Sequence, residues 1–333
     1  MVCSKTNDHH LVSFVRYRSE AISAYFMSSS AAVEKTQTTL HRRHTTAAPL
    51  IFPSFALLFV WMAVPLGITL YFSVEHYNLL SEHGPRFTGA QNYLYLIHDP
   101  AFVDSVINSF VILASVLAFT VIGGTLLAWL YEQEFPGAKI ARLLIIAPFF
   151  VMPTVNALLW KNLLLHPIYG FLAFPLRLLH VGPIDWFGRF PMLAIIIILS
   201  WQWLPFAFLI LLTSIHSLDP EQKEAALIDG AGPWTIFWHL ILPHLKRAIS
   251  VVVMVEAIFL LSTFAEILTT TAGGPGTATT NLTFLVYSLG LLQFDIGLAS
   301  AGGVVAVVLA NMVALFLIRT ASRNLNPPDT ARP

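Results

Sequence analysis

EAALIDGAGPWTIFWHLILP, from Glu224 to Pro243, is the most polar stretch between the chain's hydrophobic blocks. It lies between two long apolar segments and is itself too polar to cross a bilayer. Just before it, Asp219 suits a helix N-cap, Pro220 the first helical position, and Gln222 completes a capping-box spacing. The pattern predicts a short helix through Glu221, Glu224, Ala225, Ala226 and Ile228 that stops at Gly230 and Gly232, after which Pro233 restarts the chain. Trp234, Phe237, Trp238, Ile241 and Leu245 then recur at the spacing of a helix lying on a surface. Two small residues beside a glutamate, with a glycine further on, let another surface approach the backbone closely. The stretch reads as a docking element.

Outward from it, the chain is overwhelmingly apolar. Of 333 residues, 56% are hydrophobic and 11% charged, with a mean hydropathy of +0.72, where soluble proteins carry about 25% charged residues. A formal net charge of zero offers no footprint for nucleic acid. The single cysteine, Cys3, excludes an internal disulfide framework, and the scattered histidines form no HExxH pair, so neither a metal nor a cofactor site is expected. There is also no GxxxxGK[ST] loop, so this chain should not bind ATP through a P-loop, and any energy source must come from elsewhere.

Six segments are long enough to cross about 30 Å of hydrocarbon: Ala47 to Phe72, Ser105 to Tyr131, Leu143 to Trp160, Pro191 to Ile215, Ala248 to Leu268 and Ile296 to Ile318. In lipid the backbone must satisfy itself, so these are helices, and the alternating ten-residue segments of a barrel are absent. The expected class is an all-α membrane protein with six transmembrane helices. With the N-terminus inside, fourteen Lys and Arg lie on the cytoplasmic side and only Arg86, Lys161, Arg177 and Arg189 outside. This places both termini and residues 219–245 in the cytoplasm. Residues 1–46 are polar and read as a mobile cytoplasmic tail, with Met27 as a candidate internal start. Residues 47–104 form a first span with an outer connector, 105–320 the core, and 321–333 a second cytoplasmic tail. In the last outer connector, Gly273-Gly274-Pro275-Gly276 predicts a break followed by a short helix along the outer face.

Glu224-Ala225-Ala226, Asp229-Gly230-Ala231 and the closing Leu242-Pro243 resemble the cytoplasmic EAA loop of binding-protein-dependent ABC importer permeases. FTGAQNYLYLIHDPAFVDSVINSF, from Phe87 onward, is similar to that family's stretch before its permease core. The resemblance covers residues 50–325 and implies a type-I importer permease core. It also implies ATPase coupling through Glu224, Ala225, Ala226, Asp229 and Gly230. The implied partners are a second permease subunit in a heterodimer, two ATP-binding subunits and an extracytoplasmic solute-binding protein, in an inner membrane. The run STFAEILTTTAGGPGTATTNLTFLVYSLGLLQFDIGLASAGG, from Ser262, looks most like sorbitol/mannitol-type permeases of the maltose-importer class.

A carboxylate at the bilayer centre costs on the order of 3 kcal/mol, so intramembrane acids point to function. Glu256 and Glu266 fall in the fifth expected span, about 80° apart around a helix. Glu266 has Ser262, Thr263, Thr269 and Thr270 nearby; a carboxylate amid hydroxyls suits a sugar or sugar alcohol. Ser262, Thr263, Glu256 and Glu266 are therefore the candidate solute contacts. Asn108, Asn156 and Gln202 read as polar links between helices, and Gly123-Gly124 and Gly302-Gly303 as close-packing surfaces. Pro148, Pro153 and Pro205 each permit a bend. A carrier driven by an ion gradient is the alternative, disfavoured by the EAA loop. An intramembrane enzyme would need an acid/base cluster that the sequence does not supply.

Overall fold

The computed structural model describes residues 48–133, 135–180 and 182–325, with side chains beginning at 52 and ending at 320. The expected tail 1–46, the Met27 start and the last eight residues lie outside the described residues. The chain falls into two compact units, one ending at Gly67 and the other beginning at Ile68. The boundary falls within α1 (Ala48–Ser73). The described part of the first unit is the N-terminal portion of that helix, where Phe55, Trp61 and Met62 are all exposed. That is the exposure expected of side chains meant for lipid.

The second unit opens with a short hairpin. Strands β1 (Glu75–His76) and β2 (Arg86–Phe87) pair antiparallel, with Glu75 opposite Phe87 and His76 opposite Arg86. After α2 (Gln91–His98) comes α3 (Pro100–Leu130), which begins five residues before the span read from hydropathy. The reason is local: the Asp99 carboxylate accepts the Ala101 amide at 2.9 Å, and Pro100 fits the first turn, where no amide proton is needed. The fourth expected span is α8 (Pro191–His216), which continues as one helix through Pro205. The sixth is α14 (Ile296–Leu325), whose helix runs into the expected C-terminal tail.

Among the described residues, four helices are long and apolar enough to cross a bilayer unaided: α1, α3, α8 and α14. The other two expected spans are each broken into shorter helical pieces. The third is a pair of helical segments, Ala138–Phe150 and Pro153–Leu164, bent by 107°. Its parts are α4 (Ala138–Ile146) with a tight turn to Phe150, and α5 (Pro153–Leu159) with a widened turn from Trp160 to Leu164. Pro153 pushes Met152 out of the helical region, to φ −59° and ψ 140°. The connector to α8 holds α6 (Ala173–Leu178) and α7 (Trp186–Arg189).

The fifth expected span also splits. Past α9 (Pro220–Ile228) and α10 (Pro233–Ile236), α11 runs from Leu242 to Leu261, starting six residues early and stopping seven short. A non-helical step at Ser262–Phe264 leads to the short α12 (Ala265–Thr270). The glycine-rich turn follows, with Gly273 and Gly276 at positive φ. The short helix expected after that turn is α13 (Leu282–Tyr287). Leu282, Phe284 and Leu285 are buried, packed into the clusters shared with α3, α8, α11 and α14.

The centre of the unit is the contact of α3 with α8. A Cβ on Gly124 would lie 2.8 Å from the Ala207 Cβ and 3.2 Å from the Phe208 amide, so only glycine lets the two backbones come this close. Ala128, Phe208, Leu211 and Ile215 complete a core that continues into Phe237, Ile241 and Leu245 below the docking stretch.

Candidate functional site

The docking stretch folds as its caps dictate. The Asp219 carboxylate accepts the Glu221 amide at 3.0 Å, opening α9 on Pro220. At its other end the Gly230 amide donates to Leu227 O at 3.0 Å and the Ala231 amide to Ala226 O at 2.9 Å. This paired closure needs a left-handed residue, and Gly230 supplies it at φ +79°. Nothing lies within 4 Å of where its Cβ would be, so backbone conformation selects glycine here while the space above it stays open. Glu224, Ala225, Leu227, Ile228 and Asp229 are exposed and Ala226 is half-buried. Ile228, at 86% exposure, is an apolar residue presented outward.

The aromatic run after Pro233 divides rather than lying flat. Phe237, Ile241 and Leu245 turn into the core, whereas Trp234 and Trp238 stay exposed. Pro243 cannot donate to the carbonyl one turn back, and a widened turn from Phe237 to Ile241 precedes it. Trp234 and Phe237 pack on Trp129 of α3, with ring centroids 5.3 and 4.7 Å apart. Lys223 of α9 pairs with Glu132, just beyond α3. Burial pulls the lysine below its ordinary pKa, and the facing carboxylate offsets that cost.

A second candidate region lies where the two broken spans meet, α5 packing on α12. Breaking a helix frees backbone groups that lipid cannot satisfy, and side-chain amides and hydroxyls do so here. At the first break Gln202 of α8 donates to Val151 O at 3.2 Å, and is itself held by Asn156 at 2.8 Å. At the second, Asn281 donates to Thr263 O at 2.6 Å and Thr283 to Leu261 O at 3.1 Å. Lys161 donates to the carbonyls of Thr269 and Thr270, at 3.1 and 2.7 Å, closing the C-terminal end of α12. Asn108 grips Thr277 O and Thr280 O at 2.9 and 3.0 Å. Asn156 and Gln202 thus link helices as expected, whereas Asn108 ties α3 to the turn before α13; Lys161, Asn281 and Thr283 were not singled out. Of these three, Asn281 carried a readable signal, a capping residue ahead of an apolar run, and its carboxamide oxygen does cap α13 through the Phe284 amide.

Of the four candidate solute residues, Ser262, Thr263 and Glu266 lie at or beside the second break, and Glu256 lies apart from it. Ser262 is exposed and its hydroxyl turns back to Phe259 O at 2.9 Å. Thr263 and Glu266 are buried at the break, 7% and 5% exposed. Glu256 lies more than a turn earlier, fully buried, and accepts the Thr120 hydroxyl of α3 at 2.6 Å. That bond links α11 to α3. Trp160 on Trp201, Phe149 on Trp203 and Phe264 on Tyr287 are packing pairs.

An all-α membrane bundle of this kind, crossing by long and by broken helices, has the architecture of a type-I importer permease. The chain belongs to the family of binding-protein-dependent transport system inner membrane components, whose model matches residues 46–327. It is 30% identical over 298 residues to the probable ABC transporter permease protein y4oQ of Sinorhizobium fredii, covering 88% of this chain and 96% of that one. It is 28% identical over 286 residues to the sn-glycerol-3-phosphate transport system permease protein UgpA of Pectobacterium atrosepticum, covering 83% and 94%. Against the trehalose/maltose transport system permease protein MalF of Thermococcus litoralis it is 29% identical over 265 residues, covering 78% and 88%. A chain of a bacterial alginate ABC transporter, solved with an alginate pentasaccharide-bound periplasmic protein, superposes with a TM-score of 0.71 over 85% of this chain and 96% of that one. At 20% identity that likeness speaks for the fold alone.

Proposed function

We propose that this permease imports a sugar or sugar alcohol, of sorbitol or mannitol type, across the inner membrane, driven by ATP hydrolysed on a separate subunit. It works as one half of a permease heterodimer, with two ATP-binding subunits on the cytoplasmic side and an extracytoplasmic binding protein delivering solute. Both termini and residues 219–245 are cytoplasmic. Residues 47–104 supply a first span and outer connector, and 105–320 the translocating core. The single observation carrying the coupling role is the exposed face of α9. Glu224, Ala225 and Ile228 stand clear of the core, and the turn at Gly230 leaves the backbone open to a partner.

ATP-driven closure of the ATPase pair pushes this face, and rocking of the bundle turns the solute path from one side to the other. Glu224, Ala225, Ala226, Asp229 and Gly230 receive the push. Glu266, with Ser262 and Thr263 at the break in the fifth span, contacts solute, since discontinuous helices are where transporters place their sites. Relatives named for glycerol phosphate and for trehalose and maltose support a polyhydroxylated solute. Glu266 suits a neutral one, because a carboxyl group exchanges hydrogen bonds with hydroxyls. The test is solute-stimulated ATP hydrolysis by the reconstituted complex with its binding protein. Sorbitol or mannitol should stimulate it. Stimulation by glycerol 3-phosphate alone overturns the polyol assignment, and an absence of ATP dependence overturns the importer reading.

A further inference from the structure

The docking helix has a tether that its role as a contact surface does not require. Gly230 and Gly232 follow α9, with nothing within 4 Å of either missing Cβ. Glycine leaves such a connection free to pivot, and a push on α9 can be absorbed there. Two contacts oppose that pivot. Lys223 in α9 pairs with Glu132, both partly sheltered, with 25% and 19% of their side chains exposed. Trp129, in the last turn of α3, holds Trp234 and Phe237. Both lead to the same end of α3, which is fixed in turn by Arg142 donating to Tyr131 O at 2.6 Å.

α3 spans 31 residues, about 46 Å at roughly 1.5 Å per residue. Near its other end Asp104 accepts the Thr277 hydroxyl at 2.6 Å, and Ser109 accepts the Leu282 amide at 3.0 Å. Together with Asn108 they hold the segment that joins α12, with Glu266, to α13. One continuous helix therefore grips the docking elbow at one end and the loop beyond the broken span at the other.

We infer that Glu132 and Lys223 are a positioning pair, making α3 the rod through which displacement of the docking helix reaches residues 277–282. The inference rests on the docking role proposed above. A partly exposed ion pair adds little to stability, so the consequence of breaking it is lost transmission rather than lost fold.

The test uses the full complex in proteoliposomes, reading solute moved per ATP hydrolysed. Glu132→Gln should lower that ratio by up to about fivefold, the scale of a partly exposed ion pair, with the ATPase subunits retained. Glu132→Lys should be worse, and Glu132→Lys with Lys223→Glu should recover most of the ratio. An unchanged ratio in Glu132→Gln overturns the inference, as does a double reversal no better than Glu132→Lys. Loss of the ATPase subunits from Glu132→Gln also overturns it, since the pair then serves docking strength. Failure of the unmodified chain to retain those subunits removes the docking role itself, and is seen before any variant is made.

Discussion

Thr120 of α3 donates its hydroxyl to Glu256 of α11 across 2.6 Å, with both residues at 0% exposure. The second carboxylate oxygen has no partner among the described residues. This single hydrogen bond is what the buried acid has, so the two ends of it are not equivalent targets. Thr120→Val should cost about 1–3 kcal/mol by stranding a buried acceptor, read as a lower unfolding temperature of the purified protein. Glu256→Gln keeps an acceptor for Thr120 and should leave solute flux near normal. A collapse of flux in Glu256→Gln with unchanged unfolding would put Glu256 back in the solute path.

Two glycines with one sequence appearance should behave oppositely. Gly124 faces Ala207 with 2.8 Å for a Cβ, whereas a Cβ on Gly303 would meet only the Thr69 methyl at 3.9 Å. Gly124→Ala should destabilise by about 1–3 kcal/mol through overpacking. Gly303→Ala should be neutral or stabilise by about 0.5–1 kcal/mol, since it lowers the cost of a glycine within a helix. Thermal unfolding of the two variants side by side decides it; equal shifts would mean that the α3–α8 approach is not limiting.

Glu266→Gln keeps the size of the side chain and removes the charge, so assembly should survive and uptake should fall. Ten- to hundredfold weaker apparent affinity for a polyol, about 1.4–2.8 kcal/mol, is the expected scale. Uptake kinetics at unchanged affinity and rate would remove Glu266 from the site.

Gly230→Val places a β-branched residue at φ +79°, at a cost of about 1–2 kcal/mol, and puts bulk into the open space above the turn. ATPase subunits should bind weakly, or hydrolyse ATP without moving solute. Co-purification and the solute-to-ATP ratio report on it together, and normal values for both would refute the role of this turn.

How much of this was legible depends on how far each feature's cause lies along the chain. Both ends of α9 were readable because Asp219, Pro220 and Gly230 act within a turn of themselves. The bend before Pro153 was flagged by the proline, although its size was not. The break at Ser262–Phe264 was not readable: VVVMVEAIFLLSTFAEILTT contains no glycine or proline, and its freed carbonyls are taken by Asn281 and Thr283, 18 and 22 residues away. The partner of Glu256 lies 136 residues off, so the sequence offered its burial cost but not its ligand. Lys161 counted as one more outer charge until its two carbonyl partners were in view.

The central claim is that the exposed face of α9 meets an ATP-hydrolysing subunit in the cytoplasm. The most direct measurement is cross-linking from Ile228→Cys, in a background where Cys3 is replaced by serine, within the assembled complex in native membranes. The account expects a cross-link to the ATPase subunit, altered in yield when ATP is bound. A cross-link to the extracytoplasmic binding protein, or labelling of the cysteine by a membrane-impermeant maleimide from outside, would contradict it.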